Sequence, residues 1–277
     1  MKNTNRFQKL TALYFLAIFV FWAVLFVTGT KSGNANYWYS FLFGLIPLIG
    51  GAVGMVKASI WGGLRSALGK AVFFVSLGLF LWGFGEIIWS YYNFFKHVPA
   101  PYPSLADIGF APSIFFWILG TFFLAKATGA MFALKKNTWA KVFVVVVPLA
   151  LLVPSYYLQV KVARQGVLVP EGETLLKVIL DIAYPFGDFL ALLFAGVVYV
   201  LSYKYFGGVY RRAVTFLLAG LGVMYIADSV FSYTTTRGTY YNANFGALLL
   251  TTGLFLLTYG ILAFATKPAL PVAKEEV

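Results

Sequence analysis

The chain has 277 residues, of which 61% are hydrophobic and 19% aromatic, and its mean hydropathy is +0.83. This composition excludes an ordinary soluble domain and is typical of a polytopic membrane protein. The net charge of +12 is accompanied by no cysteine and by a single histidine, His97. These counts exclude a disulfide framework, a thiolate or histidine-built zinc site, and a Ser-His-Asp or Cys-His catalytic arrangement inside the membrane.

Apolar runs long enough to cross about 30 Å of hydrocarbon predict an all-α fold with eight transmembrane helices. In chain order they cover residues 12–30, 38–56, 71–95, 107–127, 140–158, 175–202, 213–233 and 243–265. The first run is as long as a membrane span and no A-x-A-like cleavage site follows it, so we expect a retained helix. We expect one membrane domain over the whole chain, with residues 267–277 as a disordered cytoplasmic tail.

The basic residues predict the orientation of this arrangement. With eight helices, fifteen lysines and arginines lie on one side and six on the other. The basic side of a membrane protein faces the cytoplasm, so we expect a plasma-membrane protein with both termini cytoplasmic. The one-sided distribution explains the basic excess as a topology signal, which argues against nucleic-acid binding. The same charge attracts anionic head groups, so the lipid bilayer is the expected partner.

Two segments of the chain share a polar pattern, which indicates an internal repeat. Three pairs are separated by 142 residues: Glu86 and Asp228, Ser90 and Ser232, and Tyr91 and Tyr233. Tyr39 and Tyr184 are separated by 145 residues. We therefore predict two four-helix repeats, about 10–130 and about 138–266, related by an axis near the membrane normal. Chance alignment of two apolar segments is the alternative.

Five of the nine acidic residues lie inside or at the edge of apolar stretches: Glu86, Asp107, Asp181, Asp188 and Asp228. An ionised carboxylate at the bilayer centre costs roughly 2.5–3.5 kcal/mol. These groups must therefore line a wet cavity, carry a proton or meet a cation. Their positions along the predicted helices place all five between the outer interface and the midplane.

The pattern favours an outward-facing acidic pocket with aromatic walls for a cation, a protonated amine or protons. Its polar groups share helix faces, because Glu86 and Ser90 are four residues apart, as are Asp228 and Ser232. The full set of candidate ligand-binding residues is Glu86, Asp107, Asp188, Asp228, Ser90, Ser232, Trp82, Trp89, Tyr184 and Tyr225. The sequence identifies no cofactor and no metal.

Structural roles are the alternative for each of these residues. Asp107 follows Pro-Ser-Leu-Ala at a predicted helix start and is suited to capping that helix. Asp181 is one turn from Lys177 and is suited to an ion pair. Trp89 and the tyrosines near helix ends fit an interfacial aromatic belt. The remaining acids would then be protonated and hydrogen-bonded between helices.

Enzymatic patterns are weak. Gly83-Phe-Gly-Glu86 is similar to the GxGD motif of intramembrane aspartyl proteases but carries glutamate, and Phe186-Gly-Asp188 lacks the leading glycine. The last two predicted helices have no mid-membrane lysine for a retinal Schiff base. We therefore do not expect an enzyme; an intramembrane hydrolase is the third hypothesis.

Five motifs carry a family resemblance. They are Gly85-Glu-Ile-Ile-Trp89, Pro101-Tyr-Pro-Ser-Leu-Ala-Asp107, Leu180-Asp-Ile-Ala-Tyr-Pro-Phe-Gly-Asp188, Ile226-Ala-Asp-Ser-Val-Phe-Ser-Tyr233 and Gly238-Thr-Tyr240. They resemble the multi-helix N-terminal membrane module of bacterial diguanylate cyclases (GGDEF and EAL proteins) and of bacterial and archaeal sensor histidine kinases. The resemblance implies a membrane-embedded sensory input domain and transfers no catalytic residue.

The leading hypothesis is thus a sensory, ligand-binding membrane module, and a small transporter or proton or ion carrier is the alternative. Modules of this kind feed a cytoplasmic output domain, whereas this chain stops at Val277. A sensory role therefore predicts a cytoplasmic or membrane signalling partner. A second copy of the chain is a further candidate partner.

Overall fold

The computed structural model describes residues 6–136, 138–169, 171–202 and 211–264. Over these ranges the chain is helical and contains no strand, so the all-α prediction is confirmed for them. The α-helices are α1 (Arg6–Val27), α2 (Asn34–Lys57), α3 (Ala67–Phe95), α4 (Asp107–Ala127), α5 (Ala130–Lys136), α6 (Thr138–Tyr156), α7 (Leu175–Ser202), α8 (Arg211–Thr236) and α9 (Phe245–Phe264).

Seven of the described helices are long and apolar enough to cross a membrane: α1 to α4 and α7 to α9. The fifth predicted span corresponds to α6, which is not among these seven. The count of eight spans therefore stays a prediction. The predicted tail, 267–277, lies outside the described residues.

Six helices form a closed ring in which α2 packs on α3, α3 on α4, α4 on α7, α7 on α8, α8 on α9, and α9 on α2. Helix α1 lies outside this ring against α2 and α9, and α6 lies outside it against α7. Most of the side chains of α1 are accordingly exposed. The centre of the ring is the place where side chains from many helices can meet.

Glycine allows the α2–α3 and α3–α4 pairs to approach closely. A Cβ atom on Gly83 would lie 2.6 Å from Cβ of Leu48 on α2. On the other side of α3, a Cβ atom on Gly109 of α4 would lie 2.7 Å from Cα of Gly85. Small residues let the backbones of membrane helices come into contact. As a result, the α3 side chains next to these glycines are held between two neighbouring helices.

One end of the ring is formed by the connections 96–106 and 237–244 together with residues 164–169 and 171–174, and we call it the Tyr102 end. The connection 96–106 leads from α3 to α4, and the connection 237–244 leads from α8 to α9. Each carries a tyrosine, Tyr102 and Tyr240, whose ring lies within 5.0 Å of the ring of Phe231 on α8. The candidate site lies beneath these three rings.

Candidate functional site

A cavity lies inside the ring at the Tyr102 end and has a volume of about 40 Å³. This is enough for roughly three water molecules or one small cation. Every helix of the ring and both tyrosine-bearing connections contribute to its wall. The lining residues are Phe43, Trp82, Glu86, Trp89, Tyr102, Asp107, Phe110, Ile114, Tyr184, Asp228, Phe231, Tyr240 and Leu250.

Glu86 reaches the cavity from α3 and is only 4% exposed. Its Oε1 accepts a hydrogen bond of 2.5 Å from the hydroxyl of Ser40 on α2. Gly44, one turn further along α2, makes room for it, because a Cβ atom there would lie 2.8 Å from Cβ of Glu86. Glu86 is therefore fixed between α2 and α3, and none of the described ion pairs involves it.

Asp107 lines the cavity and also stabilises the start of α4. Its Oδ2 accepts from the backbone N–H of Ser104 at 2.7 Å, while Oγ of Ser104 accepts from the N–H of Ala106 at 3.2 Å. These two bonds hold the turn that leads into α4, although the residue that precedes the helix, Ala106, has no side-chain cap. The other oxygen, Oδ1, accepts a hydrogen bond from the hydroxyl of Tyr184 on α7. Both oxygens of Asp107 are thus satisfied by the protein.

Asp228 on α8 and Asp188 on α7 form an acidic pair. The two side chains are neighbours across the α7–α8 interface, and neither oxygen of Asp188 has a hydrogen-bond partner among the described residues. Asp188 is fully buried, whereas Asp228 lines the cavity. Two neighbouring buried carboxyl groups disfavour double ionisation, so such a pair favours a bound proton or a bound cation. The cavity is next to that position.

Aromatic side chains cover most of the remaining wall. The ring of Trp82 lies 4.9 Å from Phe110 and 5.8 Å from Phe43, measured between centroids. Towards the Tyr102 end, Trp89 meets the ring of Tyr240 edge-on at 6.1 Å. Aromatic faces attract organic cations, most strongly where water is excluded. The wall therefore adds to the attraction that Glu86 and Asp228 exert on a positive charge.

A buried ion-pair cluster lies beside the cavity at the same end. The Arg164 guanidinium donates to Asp181 and, at 3.1 Å, to Glu173. Lys177 pairs with Asp181 at 3.2 Å, as predicted, and with Glu173 at 2.5 Å. The hydroxyl of Tyr102 donates to Asp181 at 2.9 Å. Two positive and two negative groups therefore balance one another in this cluster.

The phenol of Tyr102 connects the ion-pair cluster with the cavity, because its ring lines the cavity wall. Burial, together with the negative charge of Asp181, raises the pKa of Tyr102 above its ordinary value. Tyr102 therefore remains a hydrogen-bond donor to Asp181 at neutral pH.

Six of the ten predicted site residues line the cavity: Glu86, Asp107, Asp228, Trp82, Trp89 and Tyr184. Asp188 lies behind Asp228, as described. Ser232 donates to the backbone carbonyl of Asp181 at 3.3 Å, and the hydroxyl of Ser90 has no partner among the described residues. Tyr225 lies elsewhere, where its hydroxyl bonds to Ser155 and to the carbonyl of Leu151. These four do not contribute to the cavity wall.

Sequence reasoning missed two groups of residues. Tyr102, Tyr240 and Phe231 cover the cavity, and Arg164 neutralises Asp181. The Pro-Tyr-Pro sequence around Tyr102 precedes a predicted helix, which was a usable signal. Nothing in the local sequence of Arg164 indicates that its side chain is fully buried. Within the described residues, no three histidine, aspartate or glutamate side chains converge as a metal-binding group.

Comparison with known protein families finds no matching family. Comparisons with curated proteins and with solved structures find no significant match either.

Proposed function

We propose that the protein is a membrane-embedded ligand-binding module, sensory in role, whose acidic cavity binds a small cation and has a protonated amine as its best-fitting ligand. One observation carries this proposal: carboxyl groups from α3 and α8, Glu86 and Asp228, meet at one aromatic-walled cavity whose described lining contains no basic side chain. In the predicted orientation this cavity opens towards the outer surface.

The chemistry of the wall favours an amine over a bare metal ion. A primary ammonium has three N–H donors, and Glu86 and Asp228 offer acceptors from opposite helices. The alkyl part of an amine would contact the rings of Trp82 and Phe110, which a hydrated metal ion cannot use. The volume of about 40 Å³ limits the ligand to a few heavy atoms.

A ligand held by several helices supplies a route to signalling. Glu86 lies on α3 and Asp228 on α8, on opposite sides of the ring. A cation that bridges them would draw these helices together and shift the ring towards a compact arrangement. Such a change would reach the other end of the helices, where a cytoplasmic or membrane signalling partner, or a second copy of the chain, would read it.

A small transporter is the second candidate function, and the position of Asp188 favours it. This acid is buried behind Asp228, seven residues further along α7 than the ion-paired Asp181. Acidic groups therefore continue from the cavity towards the interior of the ring, as a carrier for protons or cations requires. Transport predicts net flux, which a sensor does not produce.

We further propose that eight spans form two parallel four-helix repeats, with both termini on the cytoplasmic side of the plasma membrane. The helix neighbours support the repeat, because α4 packs on α7 as α9 packs on α2. Equivalent tyrosines make related contacts. Tyr184 donates to Asp107 at the start of α4. The hydroxyl of Tyr39 lies within hydrogen-bond distance of the Thr251 hydroxyl and of the Ala247 carbonyl at the start of α9.

The chain contains no cysteine, so single introduced cysteines test the topology. Leu64→Cys lies in the connection between α2 and α3, and Val169→Cys lies at the Tyr102 end; both side chains are exposed. In intact cells we expect a membrane-impermeant maleimide to label Val169→Cys alone. Labelling of Leu64→Cys alone would reverse the proposed orientation.

The binding proposal is tested by thermal unfolding in detergent with methylammonium, tetramethylammonium or sodium chloride. We expect methylammonium to raise the midpoint of the wild type, and Glu86→Gln or Asp228→Asn to abolish the rise. Glu171→Gln is the matched control, because it makes the same change at an exposed acid in a connection.

Two results would reject an amine pocket. One is a wild type that no amine stabilises while the amide variants are equally or more stable, which would make these acids neutral packing elements. The other is stabilisation by sodium alone, which would make the ligand a metal ion. If methylammonium binds, its uptake into proteoliposomes separates the carrier from the sensor.

A further inference from the structure

The interface between α2 and α3 carries polar side chains along its length from Glu86 to the Tyr102 end. On α3 these are Glu86, Ser90 and Asn93, which share one face because they are four and three residues apart. On α2 they are Asn36 and Ser40, also four residues apart. All five side chains are buried.

The two helices run antiparallel, and their contacts fix which residues lie level with one another. Gly51 is opposite Phe80, Leu48 is opposite Gly83, and Gly44 is opposite Glu86. The same register continues to the end of the pair, where the rings of Tyr37 and Phe94 lie 6.1 Å apart.

This register places Ser90 level with Ser40, and Asn93 level with Asn36. The polar residues of α2 and α3 thus form one continuous strip, which we call the polar seam.

The seam contains polar atoms that the protein does not satisfy. Among the described residues, no hydrogen-bond partner exists for Oγ of Ser90, for Nδ2 and Oδ1 of Asn93, or for Oδ1 of Asn36. Nδ2 of Asn244, in the connection that reaches Asn36, is also unpartnered. Leaving a buried donor or acceptor unpaired costs about 1–3 kcal/mol each. The four such atoms of the seam therefore require bound partners.

Water fits these atoms best. They include both donors and acceptors, which a water molecule satisfies and an ion of either sign does not. Glu86 and Asn93 are seven residues apart, or about 10 Å along a helix. Hydrogen-bonded waters about 2.8 Å apart would cover this distance with three or four molecules. Asn93 is two residues from the end of α3, where Phe95 is exposed.

We propose that the polar seam holds a file of ordered water molecules that carries protons between the Tyr102 end of the protein and Glu86. The file ends at Glu86, whose Oε1 accepts from Ser40. A proton enters at Asn93, passes along the waters by exchange of hydrogen bonds, and binds the Glu86 carboxylate; the reverse order releases it. This proposal goes beyond ligand binding in the cavity and does not require that an amine binds there.

Glu86 has other titratable neighbours within the described residues, and the test below separates a proton path through them from one along the seam. Tyr39 faces it from α2 and Tyr240 from the connection before α9. Burial raises the pKa of Tyr240 above its ordinary value, with the negative charge of Glu86 as a further cause. Asp228 and Asp107 reach the same cavity from α8 and α4.

The test follows the carboxylic C=O infrared band of Glu86 in the purified protein in detergent, without amine. The band is identified as the one that Glu86→Gln removes. On transfer to deuterated buffer the band shifts as its proton exchanges, and we expect Asn93→Leu to slow this exchange at least tenfold. Ser90→Val is a smaller change that replaces Asn93→Leu if that variant fails to fold, and it should also slow the exchange. Thr235→Val on α8, separated from Asn93 by the same 142 residues as Ser232 from Ser90, is the matched control and should exchange like the wild type.

Exchange at the wild-type rate in both seam variants would overturn the proposal, because the proton would then reach Glu86 through the cavity. The proposal would also fail if Glu86→Gln removed no such band at any pH down to mildly acidic values, since Glu86 would then not accept a proton. If the seam variants slow proton exchange at Glu86 but bind methylammonium like the wild type, the result supports the proton path independently of the amine pocket.

Discussion

The α2–α3 and α7–α8 interfaces carry polar residues at related positions but satisfy them in different ways. Asn36 and Asp181 are separated by 145 residues, and Ser90 and Ser232 by 142. In the α7–α8 interface Asp181 is held by Arg164 and Lys177, and Ser232 bonds to its backbone carbonyl. In the α2–α3 interface Ser90 has no partner among the described residues.

The difference shows how one pattern can serve two purposes. The α7–α8 interface is closed by ion pairs inside the protein, so its free energy contributes to stability and its geometry is fixed. The α2–α3 interface depends on molecules from outside the chain, so it remains open to exchange. We therefore expect substitutions in the first interface to affect mainly stability, and those in the second to affect mainly proton access.

The largest expected effect comes from Arg164→Met. It removes a guanidinium whose side chain is fully buried and leaves Asp181 with Lys177 as its one basic partner among the described residues. Breaking a buried pair from one side costs about 3–5 kcal/mol. Chemical or thermal unfolding in detergent measures the loss. The double variant Arg164→Met with Asp181→Leu should recover most of it; no recovery would mean that the charge of Asp181 is not what Arg164 stabilises.

Tyr102→Phe tests the link between the ion-pair cluster and the cavity. The ring keeps its edge-on contact with Phe231 at 5.0 Å, but the hydrogen bond of 2.9 Å to Asp181 is lost. A hydrogen bond to a charged group contributes about 1.5–3 kcal/mol. We expect a loss of stability in this range, measured by unfolding, with methylammonium affinity changed by less than threefold. A larger change in affinity would show that the hydroxyl itself orders the cavity.

Much of this architecture was predictable from the sequence, because apolar runs of membrane length leave few alternatives to helices. The runs at 107–127 and 175–202 coincide with α4 and α7. That Glu86 and Asp228 lie at one level followed from the position of each residue along its predicted helix. The burial of Arg164 could not be predicted, because it depends on the path of a connection, which no periodicity in the sequence specifies. The covering role of Tyr102 likewise depends on how the connection 96–106 folds back.

Gly44→Ala tests how tightly α2 and α3 pack around Glu86. The added Cβ would lie 2.8 Å from Cβ of Glu86, whose side chain is held against α2. Overpacking of this kind costs about 1–3 kcal/mol. Gly222→Ala on α8 is the matched control, since its nearest neighbour would be Cδ1 of Leu192 at 3.9 Å. Unfolding midpoints compare the two. Equal midpoints would mean that α2 and α3 separate easily and that Glu86 is not fixed between them.

The smallest expected effects on stability come from alanine substitutions at Ser232 and Ser90. Ser232→Ala removes the hydrogen bond to the carbonyl of Asp181 and should cost about 0.5–1.5 kcal/mol, the usual contribution of one such bond. Ser90→Ala removes a hydroxyl that no described residue satisfies, so we expect a smaller change in unfolding free energy. The second alanine leaves space for water while removing one of its anchors, and proton exchange at Glu86 should respond more than stability does. If Ser90→Ala destabilised the protein as much as Ser232→Ala, the seam would be a stabilising contact, and the distinction between a closed and a hydrated interface would be lost.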